Sequence, residues 1–152
     1  MSGSPERIDI PPFVDQSHIQ DENVLRHLAR YRFASMFLKP TWRVVDCACG
    51  VGYGSKVLAE RGAIVRGIDV SSEAINLAET RFNHPNVTYQ RDSLENLTED
   101  DLRVDMVVSV ETIEHIPFGV ADRFLRLVSR SLLLGGIAFL SSPMLRFRNG
   151  KP

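Results

Sequence analysis

Residues 44–55 constrain this chain more than any other stretch. The β-formers Val44 and Val45 lead into Asp46, followed by Cys47-Ala48-Cys49 and a turn with glycines at Gly50, Gly52 and Gly54. A helix-compatible segment begins at Ser55. This is the pattern of a strand that runs into a nucleotide-binding turn and continues as a helix. Asp46 narrows the reading. A pyrophosphate brought close to the turn would be repelled by a carboxylate at the strand's end, whereas a ligand carrying cationic groups would be favoured. The spacing also departs from a dinucleotide fingerprint, because its third glycine should fall where the chain has Ser55.

The rest of the chain alternates in the same way. A helical pattern over 21–39 carries Val24, Leu25, Leu28, Phe33, Met36 and Phe37 at helical spacing and stops at Pro40. Strands are predicted over 42–45, 64–69, 87–90, 105–110 and 137–141, with helices over 56–61, 72–82 and 120–134 between them. Ser71 is a good N-cap for the helix that buries Ile75, Ala78 and Phe82. Residues 97–102 read as a weak helix or a loop. Strands alternating with helices imply an α/β fold, a doubly wound parallel sheet with helices on both faces. Residues 1–20, with Pro5, Pro11 and Pro12 and no hydrophobic period, read as a flexible arm, leaving 21–152 as one domain.

Composition argues against several classes. Net charge is −1, so no global positive field recruits nucleic acid, and the short basic tail of Arg146, Arg148 and Lys151 reads as a solvated terminus. No apolar run approaches membrane-spanning length, and the expected location is cytoplasmic. Cys47 and Cys49 lie two apart in the turn, a poor geometry for a mutual disulfide, and read as small, buried, reduced residues.

Ligands of such sheets lie at the C-terminal ends of the strands. Those ends carry Asp46, then Asp69, then Asp92-Ser93, then Glu111. Asp69 lies 23 residues after Asp46, near the spacing of a carboxylate that accepts from ribose hydroxyls. Taken in order, Asp46-Cys47-Ala48-Cys49-Gly50-Val51-Gly52, Gly67-Ile68-Asp69-Val70-Ser71, Arg91-Asp92-Ser93-Leu94 and Leu133-Leu134-Gly135-Gly136 resemble the motifs of class I S-adenosylmethionine-dependent methyltransferases. Ala48 replaces the first glycine of the family's first motif. The resemblance covers nearly all of residues 31–143 and implies a Rossmann-like sheet in the order 3-2-1-4-5 with S-adenosyl-L-methionine as cofactor. It implies that Asp46 faces the methionine ammonium through water, with Ala48, Cys49, Gly50 and Gly52 forming the turn beneath. Asp69 would bind the ribose and Asp92 the adenine amino group. Val70 and Leu94 would sandwich the ring, with Ser93, Val110 and Glu111 completing the pocket. His27 to Ala34, Ala48 to Ser55 and Glu111 to His115 are further similar to a group found with surface-glycan and sugar-modifying enzymes. By that analogy the acceptor is a small-molecule or glycan hydroxyl.

Two elements stay open. If 111–115 is helical, Glu111, Glu114 and His115 share one face. His115, with Glu111, would then serve as general base, or the three would resemble the Mg2+ site of small-RNA 2′-O-methyltransferases, or the segment is a structural turn touching the cofactor. The further histidine of those RNA enzymes is missing after His115, and no metal is assigned. Likewise, Arg30 pairs with the cofactor's carboxylate while Tyr31 covers the cofactor, or they are a surface arginine and a half-buried tyrosine. The alternatives to an enzyme of this family are a cofactor-binding subunit without turnover and an NAD-dependent oxidoreductase. The family's antiparallel strand pair after the fifth strand has no room before Pro152, so the domain reads as truncated. Its open fifth-strand edge is expected to pair with a second copy or another partner.

Overall fold

The computed structural model describes residues 22–143, so the N-terminal arm and the basic tail lie outside the described residues. Ten elements follow in order: α1 Glu22–Ser35, β1 Arg43–Cys47, α2 Tyr53–Ala59, β2 Ile64–Asp69, α3 Ser72–Arg81, β3 Val87–Arg91, β4 Met106–Val110, a short 3-10 turn Ile113–His115, α4 Phe118–Ser131 and β5 Ile137–Ser141. The five strands form one parallel sheet in the order β3-β2-β1-β4-β5, as expected. No described helix is long and apolar enough to cross a membrane.

The period-2 alternation of the central strands builds two cores. Val44, Val65, Met106, Val108 and Val110 face a layer with Leu28, Tyr31 and Leu58 from α1 and α2. Val45, Cys47, Ile68 and Val107 face the other, filled by Phe124, Leu127 and Val128 of α4 and by Leu97, Leu102 and Val104. The connection from β3 to β4 therefore covers its face with turns, without a helix. β4, flanked on both sides, is buried along its whole length.

Three differences from the sequence reading have physical causes. α1 ends at Ser35, not residue 39. The Ser35 hydroxyl donates back to the Arg32 carbonyl at 2.7 Å, and the next three amides turn to i−3 carbonyls, tightening the chain before Pro40. The buried stripe of α1 is Val24, Leu28, Tyr31 and Ala34, while Leu25, Phe33, Met36 and Phe37 are exposed. Phe33 packs on Phe37 and reaches Phe139 of β5, making an apolar surface beside that strand. β1 continues to Cys47, which puts Asp46 inside the strand. That shift decides where its side chain points.

Candidate functional site

The glycine turn is held from below and open above. Cys49 N–H donates to the Ile68 carbonyl of β2 at 2.9 Å, and Gly50 N–H donates to Asp69 Oδ2 at 2.9 Å. Gly50 and Gly52 take φ of +57° and +91°, the left-handed region that favours glycine. Their surroundings differ. A Cβ at Gly50 would meet nothing within 4 Å, whereas one at Gly52 would strike the Tyr89 hydroxyl and Ala78. Tyr89, on β3, contacts the Gly52 and Phe82 carbonyls through its hydroxyl, each at 2.9 Å, and so forms a strut under the turn. Ala48 also sits at φ +60°, a conformation costing an L residue roughly 1–2 kcal/mol. That is the backbone reason for a glycine in the family pattern at this position.

The strand-end acids take distinct roles. Asp69 accepts from Gly50 N–H and from Ser71 N–H, both at 2.9 Å, which ties the turn to the start of α3 and leaves a second lone pair on each oxygen. Asp92 accepts from Asn96 Nδ2 at 2.8 Å and Ser93 N–H at 2.7 Å, and these bonds hold its carboxyl below the usual range. Val70 is 66% exposed next to Asp69, while Leu94 is half-buried against the second core. Ser93 caps the following turn, its hydroxyl accepting from Glu95 N–H.

Three other side chains expected at the ligand are buried. Asp46 is fully buried, accepting from Tyr31 OH at 3.0 Å and Ser55 Oγ at 2.6 Å, so its carboxylate lies in the helix–sheet layer and not toward a ligand's ammonium. Burial pushes its pKa up to about 7 against the pull of those two donors. Tyr31, 1% exposed, lies beneath the turn, and its ring fills the space over Gly54. Val110 is 2% exposed with its side chain in the core, because β4 is buried on both faces. Cys47 and Cys49 are free buried thiols, and burial pushes both up.

Among the described residues Thr41, Ala48 and Glu111 are the non-glycine residues in the left-handed region, Glu111 at φ +52°. Its amide donates to the Ser141 carbonyl at 2.9 Å. Its carboxylate meets Arg30 Nη2 at 2.7 Å and lies 3.8 Å from His27 Nε2. His27 Nδ1 in turn contacts the Tyr53 hydroxyl, and burial pushes the imidazole down. The left-handed backbone removes the helical alternative: the 3-10 turn spans only Ile113–His115, so Glu111 shares no helical face with Glu114 and His115. His115 is half-exposed with Glu114 at 3.8 Å. Among the described residues no group of three or more His, Cys, Asp or Glu could hold a metal ion. Ser55, Tyr53 and Tyr89 were not read from the sequence as part of this site. Ser55 carried a signal, as a hydroxyl at the start of the helix that the turn opens; Tyr89 carried none.

A model of the methyltransferase-domain family matches residues 44–136. The chain belongs to that family. Relatives include a ubiquinone biosynthesis O-methyltransferase of Coxiella burnetii, 35% identical over 101 residues, covering 65% of this chain and 42% of that protein. The corresponding protein of Sinorhizobium fredii is 31% identical over 102 residues, covering 66% and 40%. Among solved structures, an S-adenosylmethionine-dependent methyltransferase from Mesorhizobium loti superposes with a TM-score of 0.64 at 26% identity, covering 73% of this chain and 51% of that one. One from Geobacter sulfurreducens, in complex with S-adenosyl-L-homocysteine, gives 0.61 at 25%, covering 76% and 47%. The chain thus matches less than half the length of these named O-methyltransferases.

Proposed function

We propose that this domain binds S-adenosyl-L-methionine at the C-terminal ends of β1, β2 and β3 and directs its methyl group to an oxygen of a small-molecule acceptor. The observation that carries the reading is the Gly50–Asp69 hydrogen bond at 2.9 Å. The amide that a dinucleotide turn would turn to a pyrophosphate is already used by a carboxylate, and residues 46–55 contain no cation. The turn therefore meets its ligand with the Asp69 carboxylate beside it and with neither a free Gly50 amide nor a cation, which disfavours a diphosphate.

The residues fit that cofactor. Asp69 would take the ribose hydroxyls with its free lone pairs and Asp92 the adenine amino group. Val70 and Leu94 would lie at the ring faces beside Ser93, and the backbone of Ala48, Cys49, Gly50 and Gly52 would support the chain between them. When bound, the cofactor supplies an electrophilic methyl on sulfur; the protein's part is alignment and exclusion of water. In this reading His115 takes the acceptor proton, supported by its exposure in the turn after β4. Glu111 has a separate role, because its carboxylate is engaged by Arg30. The oxygen acceptor is supported by the named relatives, and a sugar hydroxyl belongs to the same chemical class. A cytoplasmic setting goes with the two free thiols at the turn.

The test is calorimetric titration with S-adenosylhomocysteine. Wild type binds it in preference to NAD, and Asp69→Asn weakens it at least about tenfold, the size of one lost charge-assisted hydrogen bond. Unchanged affinity in the variant would remove the ribose assignment.

A second copy of this chain along β5 belongs to the same reading. Among the described residues β5 pairs with β4 only, and Phe33, Phe37 and Leu140 are exposed nearby. An open strand edge is self-complementary under a two-fold axis. Sedimentation at high micromolar concentration should show a dimer that Leu140→Lys converts to monomer. A monomeric wild type would overturn the pairing.

A further inference from the structure

Helix α1 reaches the site with three side chains at i, i+3 and i+4, and each ends on a group at the tips of the two central strands. Tyr31 donates to Asp46 of β1. Arg30 pairs with Glu111, the residue after β4, at 2.7 Å. His27 stands 3.8 Å from the other Glu111 oxygen and contacts Tyr53, the first residue of α2 after the glycine turn. Glu111 is thus held twice. Its amide is fixed by Ser141 of β5, its carboxylate by α1, and between them its backbone sits at φ +52°, where L side chains are rare. Such an outlier persists only when its surroundings over-determine it.

We infer that Arg30 is a positioning residue, acting on the bound cofactor through Glu111 and not as a direct partner of the cofactor's carboxylate. The inference rests on the cofactor-binding reading above. Arg30 and Glu111 are both shielded, with side chains 28% and 22% exposed, and the guanidinium already has a carboxylate at hydrogen-bond distance. With the nitrogen facing Glu111 carrying the imidazole proton, His27 accepts from Tyr53 and turns that N–H toward Glu111. His27 therefore supplies direction without a full charge, and Arg30 supplies the charge. Without Arg30, no other Lys or Arg among the described residues pairs with Glu111, and the carboxylate is released from the corner where β4 ends.

A double-mutant cycle on the 152-residue chain tests this, with S-adenosylhomocysteine affinity as the readout and thermal melts as the check on folding. Arg30→Met should change affinity by about tenfold in the wild-type background and by nothing beyond error in Glu111→Gln, a coupling of the size seen between contacting residues. Arg30→Lys should retain most of the wild-type affinity. Additive effects of Arg30→Met and Glu111→Gln, or no effect of either, would overturn the inference. The cycle of Arg30→Gln with Glu111→Gln, which removes the charge but keeps a polar side chain of similar reach, covers the case in which Arg30→Met does not fold. Failure of the wild type to bind would instead count against the cofactor reading, so the two failures are told apart.

Discussion

Replacing Gly54 with alanine lowers the unfolding free energy by about 3 kcal/mol or more, the upper range for overpacking a filled core. Gly54 lies in the first turn of α2, with the Tyr31 ring directly against it. A Cβ there would sit well under 3.0 Å from the Tyr31 Cζ, Cε1 and Cε2 atoms. The ring cannot withdraw, because it is buried, its hydroxyl is bonded to Asp46 and its edges meet His27 and Tyr53. Alanine's better helix propensity returns at most about 1 kcal/mol, so the overlap decides the sign. For a domain of this size the melting temperature should fall by roughly 6–12 °C. Gly119, in the first turn of α4, has nothing within 4 Å of its would-be Cβ. Gly119→Ala should therefore be neutral or stabilising by up to about 1 kcal/mol. Similar melting shifts for the two substitutions would show that α1 does not press on α2 as described.

The same contact shows what the sequence made legible. The alternation of strands and helices and the glycine turn follow from local signals: β-formers, an acid and small residues at fixed offsets; the sheet order follows from the family resemblance that those motifs carry. Which face of α1 is buried does not, because Phe33, Met36 and Phe37 satisfy helical spacing as well as Tyr31 and Ala34 do. Gly54 selects Tyr31, since only a residue without Cβ lets the ring approach. Asp46 was misdirected by one boundary. With β1 ended at Val45 it reads as a loop acid facing a ligand; with β1 continued to Cys47, alternation puts it on the same face as Val44, toward α1. Glu111 is harder still. Nothing local announces a left-handed glutamate, and its conformation is set by Arg30 and Ser141, groups distant in sequence.

The buried Asp46 has a consequence for stability that its hydrogen bonds alone would not suggest. Its carboxyl, ordinarily near 3.8, is raised to about 7 in the folded domain, chiefly by burial, with the Ser55 and Tyr31 hydroxyls opposing. The folded state therefore keeps a proton that the unfolded chain releases. Stability from this group is fully present below about pH 4, declines as pH rises and is lost above about pH 7. A shift of that size corresponds to about 4 kcal/mol. Asp92 and Asp101, held low by hydrogen bonds, and His27, held low by burial, contribute in the opposite direction. They are common to wild type and variant and cancel in a difference. Asp46→Asn keeps the shape and an acceptor oxygen but cannot ionise. Measured by denaturant unfolding, its stability relative to wild type should rise by about 4 kcal/mol between pH 4 and pH 8, with most of the change between pH 4 and 7. Parallel stability curves for the two proteins would mean that the carboxylate reaches water or a cation, and that the layer between α1 and β1 is not sealed. Because Tyr31 forms the lid of that layer, the domain's tolerance of an ionised acid under the glycine turn is set by the same helix that holds Glu111.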